Sequence, residues 1–453
     1  MMKKRIVVQF LLSLSLGVQA ADATISIEND AMFSCSQNGH DTVTERDFVR
    51  IKGLDLVKPN GEKLLIRGTN LGHWLNPEGF MMLFEDKASS YRHIDEALKE
   101  MVGEEVTDSF WREFQRYYVT REDIHYLKQT GVNTVRLPFH YKLISDEPFM
   151  GYHSKQHGYA VLDSCVNWCR EEGLYVVLDL HVAPGGQTGI NIDDSYGYPW
   201  LLTTESHKRE LCRIWRELAE HYRNETTIVA YDLLNEPVAS AFFETDSAML
   251  NRNLELLFQR VVKAVREVDQ NHIVMVSGSM WGQDYSIFKS WDYDDKLMFT
   301  CHRYHSAATP DGIQDFLDYR KKFNRPFYMG ETGLEPDEWI AKFVEMLEQQ
   351  NIGWTLWPYK KMGRKMPAGT KPDSPWTSYS RRATTSMLNI PMPTYWETIM
   401  DYTNSERSTY DSIRARRPVQ DSVRAALLQY VENLKFRNCE INPGYIRAMG
   451  MKP

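Results

Sequence analysis

The chain has 453 residues, 42% hydrophobic and 25% charged, without a low-complexity tract, so it can bury a large core as a folded globular protein. Its formal net charge of −8 argues against a nucleic-acid partner, because phosphate binding needs a basic face. Twelve Trp, 24 Tyr and 19 Phe supply more than core packing; some are expected as stacking platforms for a flat, weakly polar ligand.

The first twenty residues read as an export signal. Lys3, Lys4 and Arg5 form a positive start, Ile6 to Val18 is apolar but short for a membrane span, and Val18-Gln19-Ala20 is a small-residue cleavage site. The mature protein is expected to be exported (to the periplasm, cell surface or medium) and to act as a monomer without a membrane anchor. Residues 21–63 form an N-terminal extension, in which Phe48–Val57 and Pro59-Asn60-Gly61 predict a hairpin closing the bottom of the main domain. The six cysteines form no CxxC and no zinc-spaced cluster, and most read as buried apolar residues.

From residue 64 to 453 the pattern is that of one domain. Eight short apolar runs follow: Leu64–Gly68, Val132–Pro138, Leu174–His181, Ile228–Asn235, His272–Ser277, Leu297–His302, Pro326–Gly330 and Gly353–Trp357. They lack polar alternation, as strands of a parallel sheet covered on both faces do. Amphipathic stretches such as Glu205–Tyr222, Asn251–Val268 and Trp339–Leu347 predict helical crossovers, and eight such units predict a (β/α)8 TIM barrel. The polar stretch Lys360–Ser380 predicts a long loop at the mouth, and helices are expected at Thr394–Tyr402 and Val419–Leu434.

Chemistry in such barrels sits at the C-terminal strand ends. Here the runs end on Asn70 and His73, Arg136, His181, Asn235-Glu236, Trp281, His302 and Tyr304, Glu331, and Trp357. Glu236 and Glu331 stand at the fourth and seventh ends, where they can face each other across the mouth. Two carboxylates flanking a sugar bond are what glycoside hydrolysis needs, one protonated to release the leaving oxygen and one ionised to attack.

The motifs RGTNLGHW (67–74), VNTVRLPF (132–139), DLLNEP (232–237), HRY (302–304), GETG (330–333) and TLWPY (355–359) resemble, in order, those of glycoside hydrolase family 5, the cellulase family of retaining barrel enzymes. That resemblance implies Glu236 as general acid/base and Glu331 as nucleophile. It implies Asn235 on the sugar 2-OH, Arg136 and Tyr304 as donors to Glu331, His302 beside Glu236, His181 lining the site and Trp357 as its floor. RGTNLGHWLNPE and HVAPGGQTG are similar to the exo-acting β-1,3-glucanase branch, which implies that Glu78 grips a terminal glucose. Three features depart from that branch: His73 in place of a second glycine, Thr188 in place of asparagine, and the 191–200 loop. They lie in substrate loops, so sugar, linkage and endo or exo action stay open between a β-glucan or β-glucoside and a β-mannan. Trp281 is a candidate leaving-group platform. No cofactor and no metal is implied. A metal-dependent hydrolase using His181, His302, His305 and Asp179 is disfavoured because a His-x-His at the first strand end is missing. A sugar-binding barrel with a dead site is disfavoured because both glutamates and Arg136 are present.

Overall fold

A computed structural model describes residues 43–190, 192–365 and 382–453. The export signal and most of the expected mouth loop lie outside these residues. Among the described residues, no helix is long and apolar enough to cross a membrane.

The extension forms the expected hairpin, β1 (Arg50–Lys52) and β2 (Asp55–Val57), with a third strand, β3 (Lys63–Leu64), paired to β2. Leu64 therefore belongs to this sheet, and the first barrel strand starts three residues later than the apolar pattern predicts. The barrel strands are β4 (Arg67–Asn70), β5 (Thr134–His140), β6 (Tyr175–Val182), β7 (Ile228–Asp232), β8 (Ile273–Ser277), β9 (Leu297–His302), β10 (Phe327–Gly333) and β11 (Gly353–Trp357). They close in parallel, with β11 paired back to β4. Every residue of β5, β7, β8, β9 and β10 is buried, because helices cover the outside and side chains fill the inside. Val49, Leu56, Leu64 and Ile66 plug the bottom against Val177, Met275, Met298 and Tyr328. With the bottom sealed by apolar packing, the polar strand ends collect at the other face.

The helix Glu205–Tyr222 has the predicted bounds, and its neighbours, Ser247–Arg266 and Asp337–Gln349, differ from prediction only at the ends. The C-terminal helices are Trp396–Thr403 and Gln420–Leu434. Lys360–Met362 is not loop but a buried strand, β12, paired with β13 (Leu388–Ile390), which pairs in turn with β14 (Glu440–Ile441). Its lysines read as solvated from sequence, yet Lys360 is fully buried. Its Nζ lies 2.7 Å from Asp123 Oδ1 and donates to the carbonyls of Tyr118 and Leu434. Tyr359 donates to the same Asp123 oxygen, and Asp123 also caps the helix Arg121–Thr130. Cys165, Cys169 and Cys301 are buried free thiols, as expected, and Cys212 and Cys439 are partly buried.

Lys360 thus ties the C-terminal segment to the barrel through a buried ion pair. Lys360→Met leaves Asp123 an uncompensated buried charge, and we expect a loss of about 3–5 kcal/mol in urea unfolding at neutral pH.

Candidate active site

The site is built on Arg136, from the middle of β5. Its guanidinium is fully buried, and every N–H has somewhere to go. Nε donates to Asp232 Oδ2 at 3.0 Å; Nη1 donates to Asn70 Oδ1 at 3.0 Å and to Glu331 Oε1 at 2.6 Å. Nη2 donates to Asn235 Oδ1 at 2.9 Å, and lies 3.0 Å from Asp179 Oδ1 and 2.9 Å from Asp232 Oδ2. Asp179 and Asp232 sit inside β6 and β7, both wholly buried; sequence reading named Asp179 only in the disfavoured metal reading and gave Asp232 no role. The signal was there: a lone aspartate in an apolar buried run needs a counter-charge.

Glu331 lies within β10 rather than after it, because β10 shifts register against β9 between Met329 and Glu331. Besides Arg136, its Oε2 accepts from Tyr304 at 2.9 Å. Burial raises its carboxyl pKa, but His302, Arg136 and His181 together outweigh burial and hold it below the ordinary 4.5. Tyr304 keeps its proton, as burial and the nearby Glu331 charge push its ionisation up.

Glu236 sits beyond the end of β7 at φ 42°, a left-handed conformation that few side chains adopt freely. The Thr188 hydroxyl donates to the Glu236 carbonyl at 2.7 Å, and Val238 N–H donates to Gln187 O, so the 184–190 loop holds this corner in place. His302 Nδ1 is 2.8 Å from Glu236 Oε1. Burial, aided by Glu331, raises the Glu236 carboxyl above the ordinary 4.5 despite His302. One oxygen of each glutamate and His302 Nδ1 all lie within 4.8 Å of one another. The pocket therefore holds one carboxyl biased to keep a proton and one biased to lose it, close enough to serve two sides of one bond.

The remaining residues form the pocket's walls. Trp357 is buried and stacks on His181, with ring centroids 5.3 Å apart and planes 11° apart. Gly72 faces it so closely that a Cβ there would lie 2.5 Å from the indole. His181 Nδ1 meets Asp179 at 2.7 Å, and its Nε2 lies 3.6 Å from Glu78 Oε1. Glu78, a loop residue from sequence, is buried beside the catalytic pair, and burial raises its carboxyl; its Oε1 has no hydrogen-bond partner. Trp281 is half-buried at the rim, with its ring edge-on to the exposed Phe242 at 6.0 Å. Its loop is tied to Glu236's, since Met280 N–H donates to Val238 O. His73, expected as a sugar contact, packs beneath the Glu78 loop. It is fully buried at φ 73°, its Nδ1 accepts from Glu78 N–H, and its ring packs against Phe114 and Tyr118, so it shapes the Glu78 loop from behind. Of the metal reading's histidines, His181 and His302 both approach Glu331, at 4.0 and 3.7 Å, while His305 pairs with Glu335. Among the described residues, the group that could converge on a cation is Glu236, His302 and Glu331.

The sequence pattern of the family described as Cellulase (glycosyl hydrolase family 5) matches residues 96–363. A "Beta-xylosidase" of Phanerodontia chrysosporium is 26% identical over 375 residues, covering 74% of this chain and 75% of its own. A "Probable glucan 1,3-beta-glucosidase A" of Aspergillus fumigatus is 27% identical over 281 residues, covering 59% of this chain and 64% of its own. The solved structure of AoRut superposes with a TM-score of 0.55 at 19% identity, over 69% of this chain and 93% of that one, and shows the same fold.

Arg136 is the guanidinium shared by three buried carboxyls, Asp179, Asp232 and Glu331, so its removal should be costly. Arg136→Met should lose about 3–5 kcal/mol of stability at pH 7 in urea titrations. In the wild type the lowered Glu331 value contributes stability above its unfolded value, and this is lost as pH falls. In the variant burial acts unopposed by the guanidinium and raises these carboxyls, so the deficit should shrink as the pH is taken down to 5.

Proposed function

The chain belongs to glycosyl hydrolase family 5 and is a glycosidase, and from that premise we propose that it hydrolyses β-glucosidic bonds by double displacement, with Glu331 as nucleophile and Glu236 as acid/base. The observation that carries this is the opposed bias of two neighbouring glutamates within one buried pocket. One oxygen of each glutamate lies within 4.8 Å of the other, which supports the close pair of a retaining enzyme, whose carboxyls stand about 5–5.5 Å apart.

The steps use only these side chains. Glu331, kept ionised by His302, Arg136 and His181 and held by hydrogen bonds from Arg136 and Tyr304, attacks the anomeric carbon while Glu236 gives its proton to the leaving oxygen. Glu236 then takes a proton from water, which breaks the glycosyl–Glu331 ester. Asn235, its amide oxygen fixed by Arg136 and its Nδ2 3.3 Å from His181 Nε2, has its second N–H for the sugar 2-OH, and Trp357 supplies the floor.

Glu78 favours exo action on a β-glucan or β-glucoside over attack within a chain. The Glu78 carboxyl, buried beside the catalytic pair and with no hydrogen-bond partner on Oε1 among the described residues, can take up hydroxyls of a terminal sugar and would bound the site there. The family resemblance to β-1,3-glucanases and the Aspergillus relative's name agree with this reading. The half-buried Trp281 and exposed Phe242 then flank the leaving group, on the side of Glu236.

Glu331→Ala should lose at least about 10⁴-fold in kcat, and azide should restore part of it as a glycosyl azide of inverted configuration. Recovery of the retained anomer would refute the assignment. Glu236→Ala should cost most with poor leaving groups, and equal loss across a series of aryl glycosides would count against its acid role. The profile of kcat/KM against pH should rise through an ionisation below 4.5, that of Glu331, and fall through one above 4.5, that of Glu236. Defined β-linked oligosaccharides should release only the terminal sugar; early appearance of mid-length products would overturn exo action.

A further inference from the structure

Asp232 belongs to no step above. It lies three residues before Asn235 and four before Glu236, and is wholly buried, out of reach of any sugar. One of its oxygens, Oδ2, accepts Nε of Arg136 at 3.0 Å and lies 2.9 Å from Nη2. That double contact grips one edge of the planar guanidinium. The opposite nitrogen, Nη1, is left facing Glu331 and Asn70, and the second hydrogen of Nη2 reaches Asn235 Oδ1. A guanidinium has a fixed fork geometry, so an edge that is held fixes the direction of every other N–H.

We propose that Asp232 is a positioning residue that couples the nucleophile to the 2-OH contact by locking the rotation of Arg136. If the plane turns, Glu331 and Asn235 lose their alignment together, because one rigid group serves both. Asp179, 3.0 Å from Nη2, contributes charge from the β6 side, but it also holds His181. Among the described residues, Asp232 has no second partner in the site, and its Oδ1 has no hydrogen-bond partner. The inference rests on the proposed roles of Glu331 and Asn235.

The coupling predicts a signature that a loss of folded protein does not produce. The wild type should prefer 4-nitrophenyl β-glucoside to its 2-deoxy analogue, relative to their spontaneous rates, by roughly a hundredfold or more. Asp232→Leu keeps the branching at Cγ and removes the grip. It should lower kcat per active site, titrated by mechanism-based labelling, and shrink the 2-OH preference by at least about tenfold. Asp232→Asn can present its amide oxygen to both nitrogens and should keep most of the preference. A folded Asp232→Leu protein with the wild-type preference overturns the proposal. Where that variant yields no folded protein, Arg136→Lys supplies the same reading. It keeps the cation but cannot serve Asp232, Asn235 and Glu331 at once, and a wild-type preference there also overturns the proposal. A wild type without any 2-OH preference, or an active Glu331→Ala without azide, would sink the underlying assignment instead.

Discussion

A buried guanidinium sets the terms for this barrel mouth. Taking Arg136 out of water costs several kcal/mol, and that cost is offset only by close opposite charge and full hydrogen bonding. The chain supplies both from four other strands: Asn70 from β4, Asp179 from β6, Asp232 from β7 with Asn235 just beyond it, and Glu331 from β10. These contacts fix the strand ends relative to one another more tightly than apolar packing could. The sealed bottom around Leu56 and Ile66 does the complementary job of leaving the polar end as the sole open one.

The two glutamates show how position within this frame makes different acids of the same side chain. Both are buried, and burial pushes both toward neutrality. Glu331 has His302, the Arg136 guanidinium and His181 around it, and is carried back below its ordinary value. Glu236 meets only His302 directly, on a corner of left-handed backbone held by the Thr188 hydroxyl, and stays raised. The difference comes from partners rather than depth.

Most of the barrel was legible in the sequence because its strands are apolar on both faces, and such runs are hard to place anywhere but inside a parallel sheet. The errors have local causes. Leu64 is apolar enough for the barrel, but its strand pairs with β2, and a turn of only two residues leaves no mark in the pattern. Lys360 read as solvated because a lysine usually is; its burial depends on Asp123, some 240 positions away, which no local pattern reveals. The site residues at strand ends were legible by type and order. Asp179 and Asp232 were not, because each is a single acid inside an apolar run and its partner lies on another strand. His73 was legible as a polar residue near the first strand end, but only φ 73° and the packing of Phe114 and Tyr118 turn its ring away from the pocket.

The Glu78 wall has a kinetic meaning beyond its hydrogen bonds. Under the proposed exo action, a pocket closed behind the terminal sugar responds to the number of chain ends, not to the mass of polymer. A glucan of fixed weight becomes a richer substrate each time another enzyme cuts it in the middle, since every cut adds an end. The closed wall at Glu78 and His181 would thus make this barrel a finisher of shortened chains, fastest when something else has done the breaking.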